Sequence, residues 1–210
     1  YVTKRRRTRF IDEFFFWYVI LMLEVRCFME NYFIIHGSYG NPYKNFIPWL
    51  KRQLSKKGRL CIVPHFPSLE FQTYDSWSHI LSSYLDIGCI NSDTVFITHS
   101  LGSIFIIKFL LEKNIKIKKL ITVSGFNQVV FSDDISLYES FYLDWEALSI
   151  FSSICDERIS FVSDNDPYVS YDNLKSFCDS ICAREKFVSG AGHFNEKSGY
   201  LEFREILSCL

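Results

Sequence analysis

Six short apolar runs punctuate the chain: Tyr32–Ile35, Arg59–Val63, Thr94–Ile97, Leu120–Val123, Ile159–Val162 and Lys186–Val188. Each is continuous rather than alternating, the pattern of strands covered on both faces in a parallel sheet. Between them the spacing turns helical. Trp77, Ile80, Leu81 and Tyr84 make an i, i+3, i+4, i+7 stripe, and Ile104, Ile107, Lys108 and Leu111 follow another apolar run. Asn45–Leu50 leads a further helix, with Pro48 tolerable only in its first turn. Residues 145–154, 170–182 and 197–209 predict three more. The alternation predicts an α/β fold, a doubly wound sheet of about six mostly parallel strands with helices on both faces. Right-handed crossovers then bring every strand C-terminus to one edge. No repeat or low-complexity tract interrupts the pattern.

Composition narrows this little. A chain of 210 residues with 48% hydrophobic and 22% charged residues suits one globular domain. A net charge of −1 lacks the basic excess of a nucleic-acid binder, so no nucleic acid is expected as partner. Seven scattered cysteines, an odd number, argue against a disulfide framework and for a reducing compartment, hence a cytoplasmic protein. Cys178 and Cys182 stand four apart on an expected helix, but no histidine lies near them in sequence, and no metal site is expected.

The first 28 residues differ from the rest. Lys4, Arg5, Arg6, Arg7 and Arg9 precede an acidic pair and ten apolar residues, Phe14–Leu23, half of the roughly 20 that span a bilayer. No A-x-A cleavage site follows, and a membrane contact or signal anchor here is the disfavoured alternative. Met29-Glu30-Asn31 stands directly before the first strand. Residues 1–28 are therefore expected to be an extension that a catalytic domain over 29–210 does not need.

Three motifs carry the chemistry: Thr98-His99-Ser100-Leu101-Gly102, Ser163-Asp164-Asn165-Asp166-Pro167 and Gly190-Ala191-Gly192-His193-Phe194. They place serine, acid and histidine in α/β-hydrolase order, each just after an expected strand. An attacking serine must project from a sharp strand-to-helix turn, which is why small residues flank it in G-x-S-x-G. Gly102 fits; Thr98 departs, and a β-branched residue there costs about 1–3 kcal/mol by overpacking unless its neighbours make room. Ser100 is the expected nucleophile and His193 the base. Either Asp164 or Asp166 could orient the histidine; Asp166 is preferred because Asp166-Pro167 is a turn signal, leaving Asp164 a solvated or capping role. The backbone amides of Leu101 and Ser38 are candidates for the oxyanion hole. His99 is expected to pack rather than react, and His65 and His79 receive no role.

These residues resemble the small serine hydrolases typified by retinoblastoma-binding protein nine and its bacterial relatives of the YdeN type. The likeness runs from about Tyr32 to the C-terminus and includes His36-Gly37-Ser38-Tyr39-Gly40-Asn41-Pro42, Pro48-Trp49-Leu50, His99-Ser100-Leu101-Gly102, Asp144-Trp145, Ser163–Val169 and Gly192-His193-Phe194-Asn195. The resemblance implies a compact α/β-hydrolase without a large lid and carries over Ser100, Asp166 and His193 as the triad. It implies no firm substrate. No L-x-C-x-E motif occurs, so the retinoblastoma-protein partner is not carried over.

Hydrolysis of a small-molecule carboxylic ester, or an amide, through an acyl-enzyme on Ser100 is the expected activity, with no cofactor. The alternative is a catalytically impaired binding protein on a hydrolase scaffold, its elbow spoiled by Thr98. His36, Gly37 and Tyr39 are expected at the substrate pocket. So is the aromatic segment 126–146, with Phe131, Tyr138, Phe141, Tyr142 and Trp145, unless those rings simply pack over the sheet edge. A modest apolar acyl group suits such a wall.

Overall fold

The computed structural model describes residues 30–128 and 136–210. Residues 1–28, expected to be an extension and including Cys27, and Phe131 lie outside the described residues. All six expected strands form: β1 (Asn31–Ile35), β2 (Leu60–Ile62), β3 (Val95–His99), β4 (Ile117–Val123), β5 (Cys155–Val162) and β6 (Arg184–Phe187). They pair in parallel in the order β2-β1-β3-β4-β5-β6. Connecting helices are α1 (Ile47–Lys56), α2 (Tyr74–Asp86), α3 (Leu101–Lys113), the short α4 (Ser136–Glu139), α5 (Trp145–Ile150) and α6 (Tyr171–Ser180). Local chemistry sets their starts. Pro48 occupies the first turn of α1, and the side chains of Thr73, Asp144 and Ser170 accept from the amides of Ser76, Ala147 and Asn173 to begin α2, α5 and α6.

Alternation along the strands divides the interior into two cores. Phe33, Ile35 and Phe96 face one way, against Trp77 and Leu81 of α2, Phe105 and Phe109 of α3, and Leu174 and Phe177 of α6. Tyr32, Ile34, Val95 and Ile97 face the other, against Trp49, Leu50 and Leu54 of α1 and the C-terminal residues Phe203, Ile206 and Cys209. Central strands β1 and β3 are buried at every position, whereas edge strands β2 and β6 are partly exposed, so burial on both faces holds only for the inner strands. Helix α3 is buried almost all round, from Leu101 to Leu110, which suits its place behind the middle of the sheet. Complete burial of a large apolar side chain contributes about 1.5–3 kcal/mol. Trp77 receives this while its indole N–H still donates to the Pro67 carbonyl at 2.8 Å.

Two helical expectations change. Residues 197–209 form no α-helix but two 3₁₀ turns, Glu196–Ser198 and Glu205–Cys209. The buried residues Phe203, Ile206 and Cys209 recur every third position, the period of a 3₁₀ turn, and Gly199 breaks the segment at φ 85°. Helix α6 ends at Ser180, so Cys182 lies beyond it, exposed and in the left-handed region, while Cys178 is buried. Among the described residues no helix is long and apolar enough to cross a membrane.

The sheet order fixes where a site forms. The chain runs from β1 outward to β2, then crosses back to place β3 on the other side of β1, so the loops after β1 and β3 part at their C-terminal ends. Ser100 follows β3 and His36-Gly37-Ser38 follows β1.

Candidate active site

Ser100 stands between β3 and α3 with φ 56° and ψ −128°, a conformation a non-glycine residue adopts only when its surroundings impose it. Its amide donates to the Val123 carbonyl of β4 at 2.8 Å. Glycines let the loop after β1 close on this turn. A Cβ on Gly102 would lie 2.6 Å from the His36 carbonyl oxygen, and one on Gly37 would lie 2.7 Å from Ser100 Cβ. Leu101 opens α3, where the first amides have no partner inside the helix.

Thr98 is fully buried, and its hydroxyl lies 2.9 Å from that of Ser103. In register across the sheet stand Thr98, Thr122 and Ser160, and the Thr122 hydroxyl donates to Ser160 Oγ at 2.9 Å. A row of small hydroxyl residues supplies the room that the β-branch needs.

His193 lies in the loop after β6. Its Nδ1 is 2.7 Å from Asp166 Oδ2, the N–H donating. Asp166 Oδ2 also accepts from the Ser124 hydroxyl at 2.9 Å, and Oδ1 from the amides of Tyr168 and Val169 at 2.9 and 3.1 Å. Burial acts to raise the Asp166 pKa, but these hydrogen bonds and the His193 imidazole outweigh it and hold the carboxyl below its ordinary range.

The rest of the acid loop holds the histidine loop residue by residue. Asp164 accepts from the Ser189 hydroxyl and the Gly190 amide, both at 2.8 Å. Ser163 Oγ accepts from the Ala191 amide at 3.0 Å, and Asn165 Oδ1 from the Gly192 amide at 2.7 Å. Asp164 thus braces the loop, while Asp166 alone of the two aspartates meets His193. Sequence reasoning missed Ser163, Asn165 and Ser124; the signal available was four polar residues in a row after a strand, opposite a loop with glycines at 190 and 192.

His99 is buried, with Nε2 donating to the His193 carbonyl at 2.8 Å, and burial pushes its pKa down to about 3. It therefore packs and positions as a neutral ring. His36 is also buried and neutral, its pKa pushed down to about 4 by desolvation. Its Nε2 accepts from the Phe66 amide at 3.1 Å, leaving Nδ1–H to donate to the Gly37 carbonyl at 2.8 Å. His36 shapes the turn after β1 from behind.

Ser100 and His193 both open into a cavity of about 720 Å³, walled by Ser38, Tyr39, Phe126, Tyr138, Tyr168 and Val169 and edged by Lys44, Asn195, Glu196 and Lys197. Ser38 is oriented by its hydroxyl, which donates to Gln72 Oε1 at 2.9 Å. Among the expected pocket residues, Tyr39 lines the cavity and Gly37 abuts Ser100 from below. Three others stand elsewhere. His36 is enclosed by Phe66 and Trp77, Phe141 is fully buried against Trp77, Tyr74 and Phe105, and Trp145 opens α5 at the surface. Phe141 belongs to the core because Tyr74, Trp77 and Phe105 each meet its ring edge-on. Of the aromatic segment, Phe126 and Tyr138 reach the cavity.

Residues 32–210 match the family described as serine hydrolase. The chain belongs to the serine hydrolase family. This serine hydrolase is similar in fold to the ydeN gene product of Bacillus subtilis, with TM-score 0.74 and 23% identity over 86% of this chain and 96% of that one. A YdeN-like hydrolase from Pectobacterium atrosepticum gives TM-score 0.63 and 15% identity over 91% and 94% of the two chains. The carboxylesterase CesB of Bacillus subtilis gives TM-score 0.60 and 11% identity over 87% and 82%. Comparison with curated protein sequences gives no significant match. The compact α/β-hydrolase architecture expected from the sequence is the one these structures share.

Proposed function

We propose that this serine hydrolase cleaves a carboxylic ester, with an amide the less supported substrate, through an acyl-enzyme on Ser100. One observation carries the reading: Ser100, on its left-handed turn, opens into the same cavity as His193, whose far nitrogen is engaged by Asp166. Fold likeness to a carboxylesterase supports the ester as first choice.

In the first half-reaction Ser100 Oγ attacks the substrate carbonyl while His193 Nε2 takes its proton. The Asp166 carboxylate, held ionised by its hydrogen bonds, keeps the second ring proton on Nδ1 and stabilises the imidazolium. The oxyanion forms beside the amides of Leu101, at the start of α3, and Ser38; each such donor is worth about 10² to 10³ in turnover. His193 then gives its proton to the leaving alcohol. Water, deprotonated by the same imidazole, releases the acid and restores Ser100. The acyl group rests against Phe126, Tyr138 and Val169, a wall that favours a modest apolar chain.

Steady-state hydrolysis of 4-nitrophenyl esters from acetate to octanoate tests the reading. Turnover is expected to peak at a short or medium chain and to vanish in Ser100→Ala; equal rates in the wild type and that variant would remove the proposal.

A further inference from the structure

The two sides of the cavity are chemically unlike. Phe126, Tyr138 and Val169 belong to the core on the α2–α3 side of the sheet, while the polar lining residues Lys44, Asn45, Asn195, Glu196 and Lys197 flank in sequence Phe46 and Phe194 of the opposite core. On that second side the Asn45 side-chain oxygen accepts from the Glu196 amide at 3.0 Å, stitching the loop before α1 to the loop after His193. The stitch brings Lys44 and Lys197 to one lip of the cavity, together with Glu196, the residue before Lys197. Lys44 Nζ lies 3.5 Å from the carbonyl of Tyr39, itself a cavity residue. Lys118, Lys119 and Lys175 are paired with carboxylates, but among the described residues neither Lys44 nor Lys197 enters an ion pair. Among the described residues that line the cavity, the two ammonium groups face one exposed carboxylate, that of Glu196, which leaves their charge in excess.

Catalytic geometry says which half of a substrate meets it. A leaving alcohol must lie beside His193 to receive its proton, and the chain leaving His193 runs directly through Asn195 and Glu196 to Lys197. Resting on the hydrolase reading above, we propose that the substrate is an ester whose acyl half is apolar and whose alcohol half carries an anionic group, carboxylate or phosphate, held by Lys44 and Lys197. The amphipathic cavity thereby orients the ester: reversed binding would set the anion against the apolar side chains of Phe126 and Val169, away from Lys44 and Lys197. Lys44 and Lys197 are specificity residues and touch no reacting atom.

The test compares butyrate esters of 4-hydroxybenzoate, 4-hydroxyphenyl phosphate and 4-hydroxybenzamide, the amide serving as neutral reference. At low salt the wild type should favour the anionic esters in kcat/KM by about five- to tenfold, mainly through KM, and lose most of that preference at high salt, as partly exposed pairs do. Lys44→Ala with Lys197→Ala should bring the ratio close to one, and Glu196→Gln should raise it by roughly twofold or more. Comparing the carboxylate and phosphate arms identifies which anion the lip prefers. A wild-type ratio of one, or a ratio that none of the substitutions moves, would overturn the proposal. If no ester is turned over, the hydrolase reading fails, and calorimetric titration with 4-hydroxybenzoate and 4-hydroxybenzamide still decides the lip: tighter carboxylate binding lost in the double-alanine protein supports it, and equal binding overturns it.

Discussion

Ser100 sits where β1, β3 and α3 meet, open to the cavity on one side and backed by a turn that two glycines admit, since Cβ atoms there would collide with His36 and Ser100 itself. His193 sits on a loop beyond the sheet edge, held by side-chain oxygens from Ser163, Asp164, Asn165 and Asp166. Steric closure places Ser100; a ladder of hydrogen bonds places His193. Closure in a packed interior couples position to stability, because moving the turn moves the core. The ladder is partly exposed and separable, so its members can fail singly, at a cost to alignment more than to folding.

The largest expected effect removes the reacting atoms. Ser100→Ala and His193→Ala should each lower turnover by roughly 10⁴-fold or more while the fold persists, measured by ester hydrolysis alongside circular dichroism. Gly102→Ala attacks the closure: a Cβ at 2.6 Å from the His36 carbonyl should cost about 1–3 kcal/mol in urea unfolding and a large part of turnover together. Asn165→Ala attacks the ladder by freeing the Gly192 amide. Turnover should fall by about 10- to 100-fold, as loss of alignment does, with stability reduced by about 1 kcal/mol or less. If both variants lost stability equally, the distinction between closure and ladder would go.

Acid should weaken the closure before the ladder. His36 and His99 are held neutral by burial, with pKa values near 4 and 3 against 6.5 when unfolded, so below pH 6.5 the unfolded chain binds protons that the folded one refuses. Their contribution is complete above pH 6.5 and is lost as pH falls towards those folded values. From pH 7 to 5 each should cost on the order of 1–2 kcal/mol in urea unfolding. Asp166 works in a lower window: its carboxyl is depressed, so its contribution holds above the unfolded carboxylate range and fades only as pH drops through the folded value.

Much of this was legible in the residues. Continuous apolar runs marked all six strands, most clearly β1 and β3, which are buried on both faces and leave no alternation to misread. The serine, acid and histidine stood out because each follows a strand whose end must lie on one edge. Less visible were features decided by packing across long sequence distances. Phe141 reads as a pocket aromatic from its neighbours in sequence, yet Trp77 and Phe105 claim it for the core. Thr98 reads as crowding until Thr122 and Ser160, on other strands, are seen to be small. The C-terminal segment has an apolar period of three, which a helical pattern search accepts as nearly 3.6. The hydrogen-bond ladder pairs two loops through atoms whose partners no local pattern names.

The proposed chemistry stands on an activated Ser100 with His193 as its base. Purified protein should be treated with a fluorophosphonate and read by intact mass and peptide mapping, with Ser100→Ala and His193→Ala in parallel. One adduct is expected, on Ser100, and both substitutions should abolish it; a well-folded wild type that takes no label, or labels equally in His193→Ala, would remove Ser100 and His193 from these roles.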